Sequence, residues 1–156
     1  MNKFYVLVGV PGSGKTTWVN QQSFNSDHTV YVSTDMFVER YAQQVGKTYT
    51  EVFAECMPRA INEMMDAVFE ALENRYDIVW DQTSTSIASR RKKLKYVPEG
   101  YEKIAVVFPT PDPATHAKWL NRPGKEIPDE VVQDMIARFE MPTLAEGFDK
   151  VIEVKR

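Results

Sequence analysis

The chain has 156 residues, of which 43% are hydrophobic and 26% are charged, and its formal net charge is −3 at pH 7. This length predicts one domain over residues 1–156, and the composition excludes a disordered, collagen-like or low-complexity chain. The single cysteine excludes an internal disulfide and fits a reducing cytoplasm. No apolar run is long enough to span a membrane. The net charge argues against bulk electrostatic wrapping of nucleic acid.

Short apolar runs alternate with helical patterns along the whole chain, which is typical of a parallel α/β sheet. Continuous apolar runs of this length suit strands that are covered on both faces. We therefore predict an α/β fold in which helices flank a five-stranded parallel sheet. The predicted strands are Phe4–Val8, Thr29–Val32, Asp77–Asp81, Ile104–Phe108 and Val151–Val154.

Apolar residues between the second and third predicted strands recur at helical spacing and predict one buried stripe. Pro58 predicts the start of this helix, because a missing N–H is harmless in a first turn. Further helices are predicted from Ile87 to Val97 and from Pro128 to the residue before Pro142. The predicted stripe consists of Ile61, Met64, Met65, Val68, Phe69 and Leu72.

Gly9–Thr16 matches the phosphate-binding pattern GxxxxGK[ST] at every fixed position, between the first strand and a helix predicted over Thr16–Gln22. Its glycines let the backbone direct N–H groups at phosphate oxygens. The Lys15 ammonium can reach the β- and γ-phosphates, and the Thr16 hydroxyl is a ligand for Mg²⁺. The motif predicts binding of ATP, or another nucleoside triphosphate, with Mg²⁺. The candidate nucleotide-binding residues are Gly9, Pro11, Gly12, Ser13, Gly14, Lys15, Thr16, Thr17 and Arg122.

Two aspartates follow predicted strands at the sheet edge where ligands of open α/β folds bind. Asp35 is the candidate general base for an acceptor hydroxyl, and the other interpretation is a cap on the helix that starts at Met36. Asp81 is the candidate metal ligand, beside Thr16, and its other interpretation is a turn or cap residue. Thr83 follows it closely and is a candidate substrate-binding residue.

A polar segment rich in glycine and proline, residues 121–128, joins two predicted helices and is predicted to be a short mobile lid. The planar guanidinium of Arg122 suits a bidentate contact with β- and γ-phosphate oxygens, which makes this residue a catalytic candidate. Lys125 is the weaker candidate in the same segment. A surface loop without a role is the other interpretation.

Charge is unevenly distributed, because residues 86–103 contain six basic and two acidic side chains in a chain that is acidic overall. The basic side chains of this segment are densest from Arg90 to Lys93, and Lys95 follows them closely. Two interpretations remain open, a solvated helix face and a surface that contacts the phosphates of a polyanionic substrate. The second interpretation makes Arg90 and Arg91 candidate substrate-binding residues.

Three segments resemble the polynucleotide 5′-hydroxyl kinases. Residues 8–18 resemble the opening of these kinases, and residues 81–84 with 88–91 are similar to their strand-three aspartate segment. Residues 139–149 are similar to the end of the kinase domain in eukaryotic polynucleotide kinase-phosphatases. The resemblance covers nearly the whole chain in order. It implies a P-loop kinase fold and transfer of the γ-phosphoryl group of ATP, with Mg²⁺, to a hydroxyl of DNA or RNA.

The resemblance also implies residue roles. It places Lys15 and Thr16 on ATP and Mg²⁺, with Lys15 catalytic, Asp35 as the general base, and Arg122 as the lid arginine. These roles agree with those inferred from the motif and from the positions of the residues along the chain.

The acceptor side departs from the family pattern. The usual Asn-Arg before the strand-two aspartate is replaced by Ser33-Thr34, and an arginine found three residues after it in some members is replaced by Val38. Arg40 lies two positions after Val38 and is a candidate substrate-binding residue. Three other functions stay open: a phage-type kinase of a hydroxymethyl group on a DNA base such as hydroxymethyluridine, a nucleoside kinase, and an ATP-binding regulatory module. The oligomeric state stays open as well.

Overall fold

The computed structural model describes residues 1–155, and these form a five-stranded sheet with helices packed on both faces. Every strand pairing is parallel. The predicted α/β fold is confirmed, and all five predicted strands are present with small shifts at their ends. The strands are β1 (Asn2–Val8), β2 (Thr29–Val32), β3 (Asp77–Asp81), β4 (Tyr101–Val107) and β5 (Lys150–Glu153).

The strand order β2-β3-β1-β4-β5 places β1 at the centre of the sheet. Val6 in β1 is level with Trp80 in β3 and with Ala105 in β4. Because all strands are parallel, the segments that leave β1, β2 and β3 emerge at one edge. Ligands of open α/β sheets bind at this edge, where the direction of chain connection reverses.

Six α-helices and a short 3₁₀ helix connect the strands within the described residues, and none of these helices has the length and apolar composition needed to cross a membrane. The helices are α1 (Lys15–Gln21), α2 (Thr34–Val45), α3 (Tyr49–Glu73), α4 (Ile87–Leu94), α5 (Pro113–Leu120) and α6 (Asp129–Ala137), and the 3₁₀ helix is Leu144–Glu146.

The prediction that Pro58 starts the long helix is wrong. The helix α3 begins nine residues earlier, where Thr48 and Glu51 form a capping box, and Pro58 lies inside it. The proline removes one intrahelical N–H, which leaves the carbonyl of Ala54 without that partner. Both residues are exposed to solvent, where water can satisfy the carbonyl. The spacing of Thr48 and Glu51 is therefore the feature of the sequence that marks the start of α3.

The core lies on both faces of the sheet. One face packs Phe4, Trp80 and their neighbours against Met64 and Val68 of α3, and the other buries Phe108 with side chains of α1. The predicted stripe on α3 is only partly correct, because Ile61 is 43% exposed and Phe69 is 48% exposed. The buried positions of α3 recur every three or four residues and so lie on one face of the helix, and Ile61 and Phe69 lie off that face. The buried residues of α3 are Val52, Cys56, Ala60, Met64, Val68 and Ala71.

Candidate active site

The phosphate loop connects the central strand β1 to α1, as predicted. Gly12 and Gly14 adopt left-handed backbone conformations, with φ of 72° and 93°. A Cβ atom at Gly12 would lie 2.8 Å from Cδ2 of Leu120, so α5 packs directly on the loop at this point. The buried His116 of α5 also contacts the loop, with Nε2 at 2.8 Å from the carbonyl oxygen of Pro11. The loop is thus held in shape by close packing and by glycine geometry.

The Lys15 ammonium lies inside the phosphate loop. Its Nζ donates hydrogen bonds to the carbonyl oxygens of Gly9 at 3.0 Å and Val10 at 3.1 Å. Burial lowers the pKa of Lys15, while the negative charges of Asp81 and Asp35 oppose that effect. A lysine enclosed by a phosphate loop is the group expected to bind the β- and γ-phosphates of a nucleotide.

Asp81 ends β3 and is buried beside the phosphate loop. The hydroxyl of Tyr31 donates a hydrogen bond to its Oδ2. Burial raises the pKa of Asp81, and the charge of Lys15 acts in the opposite direction. The Thr16 hydroxyl and the Asp81 carboxylate both belong to side chains that line one cleft. Hydroxyl and carboxylate oxygens are the donor types that Mg²⁺ prefers, so these two residues fit a magnesium site.

Asp35 lies in the first turn of α2, directly after the end of β2. Its Oδ1 accepts a hydrogen bond from the Tyr49 hydroxyl at 2.6 Å, and its Oδ2 accepts one from Nζ of Lys125 at 3.0 Å. Burial opposes ionisation, but the charge of Lys125 and the hydrogen bond from Tyr49 outweigh it and lower the pKa of Asp35. The carboxylate is therefore ionised at neutral pH and able to accept a proton. The N-cap of α2 is Ser33, so Asp35 lies inside the helix and is not its cap residue.

The predicted lid lies between α5 and α6, and its tip is a tight turn over Arg122–Lys125. We call these four residues the lid turn. The backbone N–H of Lys125 donates to the carbonyl of Arg122 at 3.1 Å, with Gly124 in a left-handed conformation. This geometry places the two lid cations opposite each other. Both side chains line the cleft that contains the phosphate loop.

The cleft has a volume of about 590 Å³, and two chemically different groups of side chains line it. The first group, which we call the phosphate end, is the phosphate loop with Trp119, Leu120 and Arg122. Leu120 packs on Gly12 of the loop, and the charge of Arg122 acts on Lys15. The second group is apolar. It is called the apolar wall here and consists of Phe53, Met57, Ile127, Val131 and Met135.

Most of the predicted site residues line this cleft, and the structure separates the others from it. Thr83 lines the cleft, and its carbonyl oxygen accepts a hydrogen bond from the Gly9 N–H at 2.9 Å. Gly9 and Thr17 do not line it themselves. Arg40 is also outside it, in a smaller groove between α2 and α3, with its guanidinium 5.5 Å from the centre of the Phe37 ring. Arg40 therefore does not line this cleft, and its contact with substrate stays a prediction.

The prediction that Arg90 binds substrate is contradicted by the burial of its side chain. Its guanidinium is fully buried and forms a bidentate ion pair with Glu146, at 2.7 and 3.1 Å, and it donates to the Ser84 carbonyl at 2.9 Å. Lys93 is buried as well, with Nζ 5.4 Å from the centre of the Trp80 ring. A helix exposes only part of a continuous basic run, since four successive side chains point around the whole axis. The exposed cations of the run are Arg91, Lys92 and Lys95.

Sequence reasoning missed Tyr31, Tyr49 and the apolar wall, and it ranked Lys125 too low. These residues come from β2, α3, the lid and α6, and no spacing in the sequence relates them to the aspartates. One local signal existed, because Thr48 caps the helix in which Tyr49 is the first residue. An aromatic residue at the start of a helix gives no indication of which carboxylate it will meet.

Comparison with known proteins identifies several relatives. A family model described as an AAA domain matches residues 5–142. A bifunctional polynucleotide phosphatase/kinase of Schizosaccharomyces pombe is 29% identical over 154 residues, which are 96% of this chain and 32% of the relative. The chain thus spans about a third of the length of that relative.

Solved structures show the same relationship. A chain of the Pnkp1/Rnl/Hen1 RNA repair complex aligns with a TM-score of 0.66 and 26% identity, over 88% of this chain and 43% of that one. Shikimate kinase from Acinetobacter baumannii shares the fold, with a TM-score of 0.50 and 20% identity over 100% of this chain and 86% of that one. The P-loop kinase fold and the resemblance to polynucleotide kinases, both predicted from the sequence, are confirmed.

Proposed function

The chain belongs to the AAA domain family, and on this basis we propose that it is an ATP- and Mg²⁺-dependent kinase that transfers the γ-phosphoryl group to a hydroxyl of nucleic acid. Its relatives include polynucleotide kinases and, at the level of the fold, a small-molecule kinase. A polynucleotide 5′-hydroxyl is the acceptor that the similarity to polynucleotide kinase favours.

The observation that carries this proposal is the position of Asp35. An ionised, half-exposed carboxylate lines the same cleft as the phosphate-loop lysine and the apolar wall. A module that only binds nucleotide has no need of a base in this cleft. A kinase requires one, because the acceptor hydroxyl loses a proton when its oxygen bonds to phosphorus.

The proposed reaction is a displacement at the γ-phosphorus. A lone pair of the acceptor oxygen forms the new P–O bond, the bond from the γ-phosphorus to the bridging oxygen of the β-phosphate breaks, and the hydroxyl proton passes to Asp35. Lys15 holds the β- and γ-phosphate oxygens, and Arg122 stabilises the charge on the transferring group from the lid. Thr16 and Asp81 would hold Mg²⁺, which neutralises charge on the phosphate oxygens when bound.

The apolar wall lines the same cleft as Asp35, and it supports a second candidate acceptor. Phe53 is 43% exposed and Val131 is 41% exposed, so both offer apolar surface to a ligand. Ser33, Thr34 and Val38, which stand where the family usually carries acceptor-facing polar residues, are all buried. An apolar wall suits a flat nucleobase better than a phosphate. The second candidate acceptor is therefore a hydroxymethyl group on a DNA base, or a free nucleoside.

One assay distinguishes these acceptors. Purified protein is incubated with γ-labelled ATP and Mg²⁺, and with one acceptor from a panel of 5′-hydroxyl DNA, 5′-hydroxyl RNA, hydroxymethylated duplex DNA and free nucleosides. We expect label on a nucleic-acid acceptor with wild-type protein, and no label with Lys15→Ala. Label on nucleosides alone would identify a small-molecule kinase. ATP binding without transfer to any acceptor would identify a regulatory module and contradict the proposal.

A further inference from the structure

The lid turn reaches across the cleft and contacts the candidate base. Nζ of Lys125 lies 3.0 Å from Oδ2 of Asp35 and 3.6 Å from Oε1 of Glu39. The same ammonium lies 4.5 Å from the centre of the Tyr49 ring. The Lys125 side chain is only 13% exposed, so its charge is less screened by water than that of a surface lysine.

The Asp35 carboxylate receives a donor on each of its oxygens. Lys125 donates to Oδ2, and the Tyr49 hydroxyl donates to Oδ1 at 2.6 Å. Donors that approach from two separate elements fix both the position and the plane of a carboxylate. Each carboxylate oxygen accepts up to two hydrogen bonds, and the Asp35 side chain is 51% exposed, so an acceptor hydroxyl still has room to bind.

We propose that Lys125 and Tyr49 are positioning residues, which hold the Asp35 carboxylate in the orientation that accepts the proton of the attacking hydroxyl. This inference rests on the proposed function, because it assigns Asp35 as the general base of a kinase. Neither residue needs to touch the transferred phosphoryl group. Both act through Asp35, whose reaction geometry they determine.

The two donors belong to one packed unit. The backbone N–H of Thr50 donates to the Gly124 carbonyl at 3.1 Å, and the N–H of Glu126 donates to the Thr50 hydroxyl at 2.8 Å. A Cβ atom at Gly124 would lie 3.1 Å from Cβ of Thr48, so glycine permits the close approach. The first turn of α3 therefore carries Tyr49 and anchors the lid turn that carries Lys125.

This anchoring connects the candidate base with the lid arginine. Arg122 and Lys125 are held opposite each other in the lid turn, by a backbone bridge. A lid turn seated on α3 thus places Lys125 on the base and Arg122 at the phosphate end at the same time. If the lid turn moves away from α3, Lys125 leaves the base and Arg122 leaves the phosphate end together. The base is therefore positioned only when the lid arginine is present.

The charges around Asp35 determine the pH dependence that this arrangement produces. Lys125 and the hydrogen bond from Tyr49 lower the pKa of Asp35 against the effect of burial. Loss of the Lys125 charge therefore raises that pKa, so that the base becomes protonated at a higher pH. The charged and titratable groups around Asp35 are Lys125, Lys15, Tyr49, Tyr31, Glu39 and Asp81.

The test compares Lys125→Met, Lys125→Arg and Tyr49→Phe with wild type, and uses Lys118→Met as the matched control on the exposed face of α5. Two quantities are measured: kcat against pH with saturating ATP and acceptor, and the pH titration of the Asp35 carboxyl carbon by ¹³C NMR without ligands. We expect Lys125→Met to lower kcat by about 10- to 100-fold, the usual cost of a misplaced reacting group. The acid limb of kcat and the NMR titration of Asp35 should both move to higher pH.

Rescue by the conservative variant completes the test. Lys125→Arg should restore most of kcat and the acid limb, because it retains the charge beside Asp35. Tyr49→Phe should move the acid limb in the same direction as Lys125→Met, because it removes one donor and keeps the ring beneath the ammonium. Lys118→Met should change neither quantity.

Several outcomes would overturn the inference. An NMR titration of Asp35 that Lys125→Met leaves unchanged would show that the contact does not act on the carboxylate. A rise in the KM for ATP with an unmoved acid limb would assign Lys125 to the phosphate groups instead. Wild-type protein that transfers phosphate to no acceptor would refute the proposed function itself, and the NMR titration separates that failure from a failure of the contact.

Discussion

Asp35 is the residue on which the proposed chemistry depends, and an amide is the smallest change that tests it. Asp35→Asn keeps the shape of the side chain and removes its ability to accept a proton. We expect turnover to fall by about 10²- to 10⁴-fold, the usual size of a general-base contribution, with ATP affinity close to wild type. The matched control is Asp134→Asn, because Asp134 is an exposed acid of α6 that pairs only with Arg138 in the described structure.

The stability of this variant has a defined pH dependence. The folded pKa of Asp35 is lowered, so its charge stabilises the fold above the ordinary pKa, and this stabilisation is lost as the pH falls through the lowered value. The melting temperature of Asp35→Asn should therefore fall less on acidification than that of wild type. A lower melting temperature at neutral pH with normal turnover would make Asp35 a structural residue.

Arg122 tests whether the lid needs a planar cation. Its side chain is exposed and lines the phosphate end of the cleft. Lysine keeps the charge but loses the fork of donors that binds two phosphate oxygens together. We expect kcat of Arg122→Lys to fall almost as far as that of Arg122→Ala, and Arg138→Lys is the matched surface control. Full activity of Arg122→Lys would reduce Arg122 to a general electrostatic role.

A buried ion pair holds helix α4 to the 3₁₀ helix Leu144–Glu146. Arg90 and Glu146 are both nearly inaccessible to water, and the third bond from Arg90 fixes the carbonyl of Ser84. Removal of one partner from such a pair leaves a buried charge without compensation and costs about 3–5 kcal/mol. We expect this loss in the free energy of unfolding of Arg90→Met, measured by urea denaturation.

A double variant separates the ion pair from general packing. Arg90→Met with Glu146→Leu removes both charges and should recover part of the lost stability, because no charge is then left unpaired. Arg91→Met, at the exposed neighbouring position, should change the free energy of unfolding by less than about 0.5 kcal/mol. Equal effects at Arg90 and Arg91 would contradict the assignment of the ion pair.

The molecule as a whole is acidic, yet three exposed cations remain on one side of α4. Arg91, Lys92 and Lys95 are exposed, and Lys95 lies 5.1 Å from the centre of the Tyr96 ring. Tyr96 in turn contacts the half-exposed Phe69 at 5.3 Å between ring centres. Cations beside aromatic rings suit the phosphates and bases of a strand, whereas a free nucleoside has no phosphate for them to bind.

This surface predicts a polymeric acceptor. If cations of α4 bind phosphates of the acceptor, the KM for the acceptor should rise steeply with salt, while the KM for ATP changes less. The double variant Arg91→Glu with Lys92→Glu should raise the acceptor KM and flatten its salt dependence. The matched control reverses the same number of charges at Lys118 and Lys150, on other surface elements. If nucleoside and oligonucleotide are used equally well and the double variant has no effect, the prediction of a polymeric acceptor is wrong.

The sequence by itself determined the sheet, the phosphate loop and the position of two aspartates at the carboxyl edge. These features are local, because an apolar run predicts a strand wherever it occurs, and parallel pairing brings strand ends to one edge. The glycines and Lys15 of the loop lie within eight residues, Gly9–Thr16, and their spacing already specifies the turn. The same reasoning placed Asp35 and Asp81 correctly without knowledge of any tertiary contact.

Only the tertiary structure decided which charged side chains are exposed to solvent and which are bonded to other residues. Arg90 and Arg91 are adjacent in the sequence, yet one is buried against Glu146 and the other is exposed, because a helix turns successive side chains to different faces. Likewise, 90 positions of chain separate Asp35 from Lys125, which bonds to it. Contacts over such separations depend on how the helices and the lid turn pack, and no local pattern in the sequence reveals that packing.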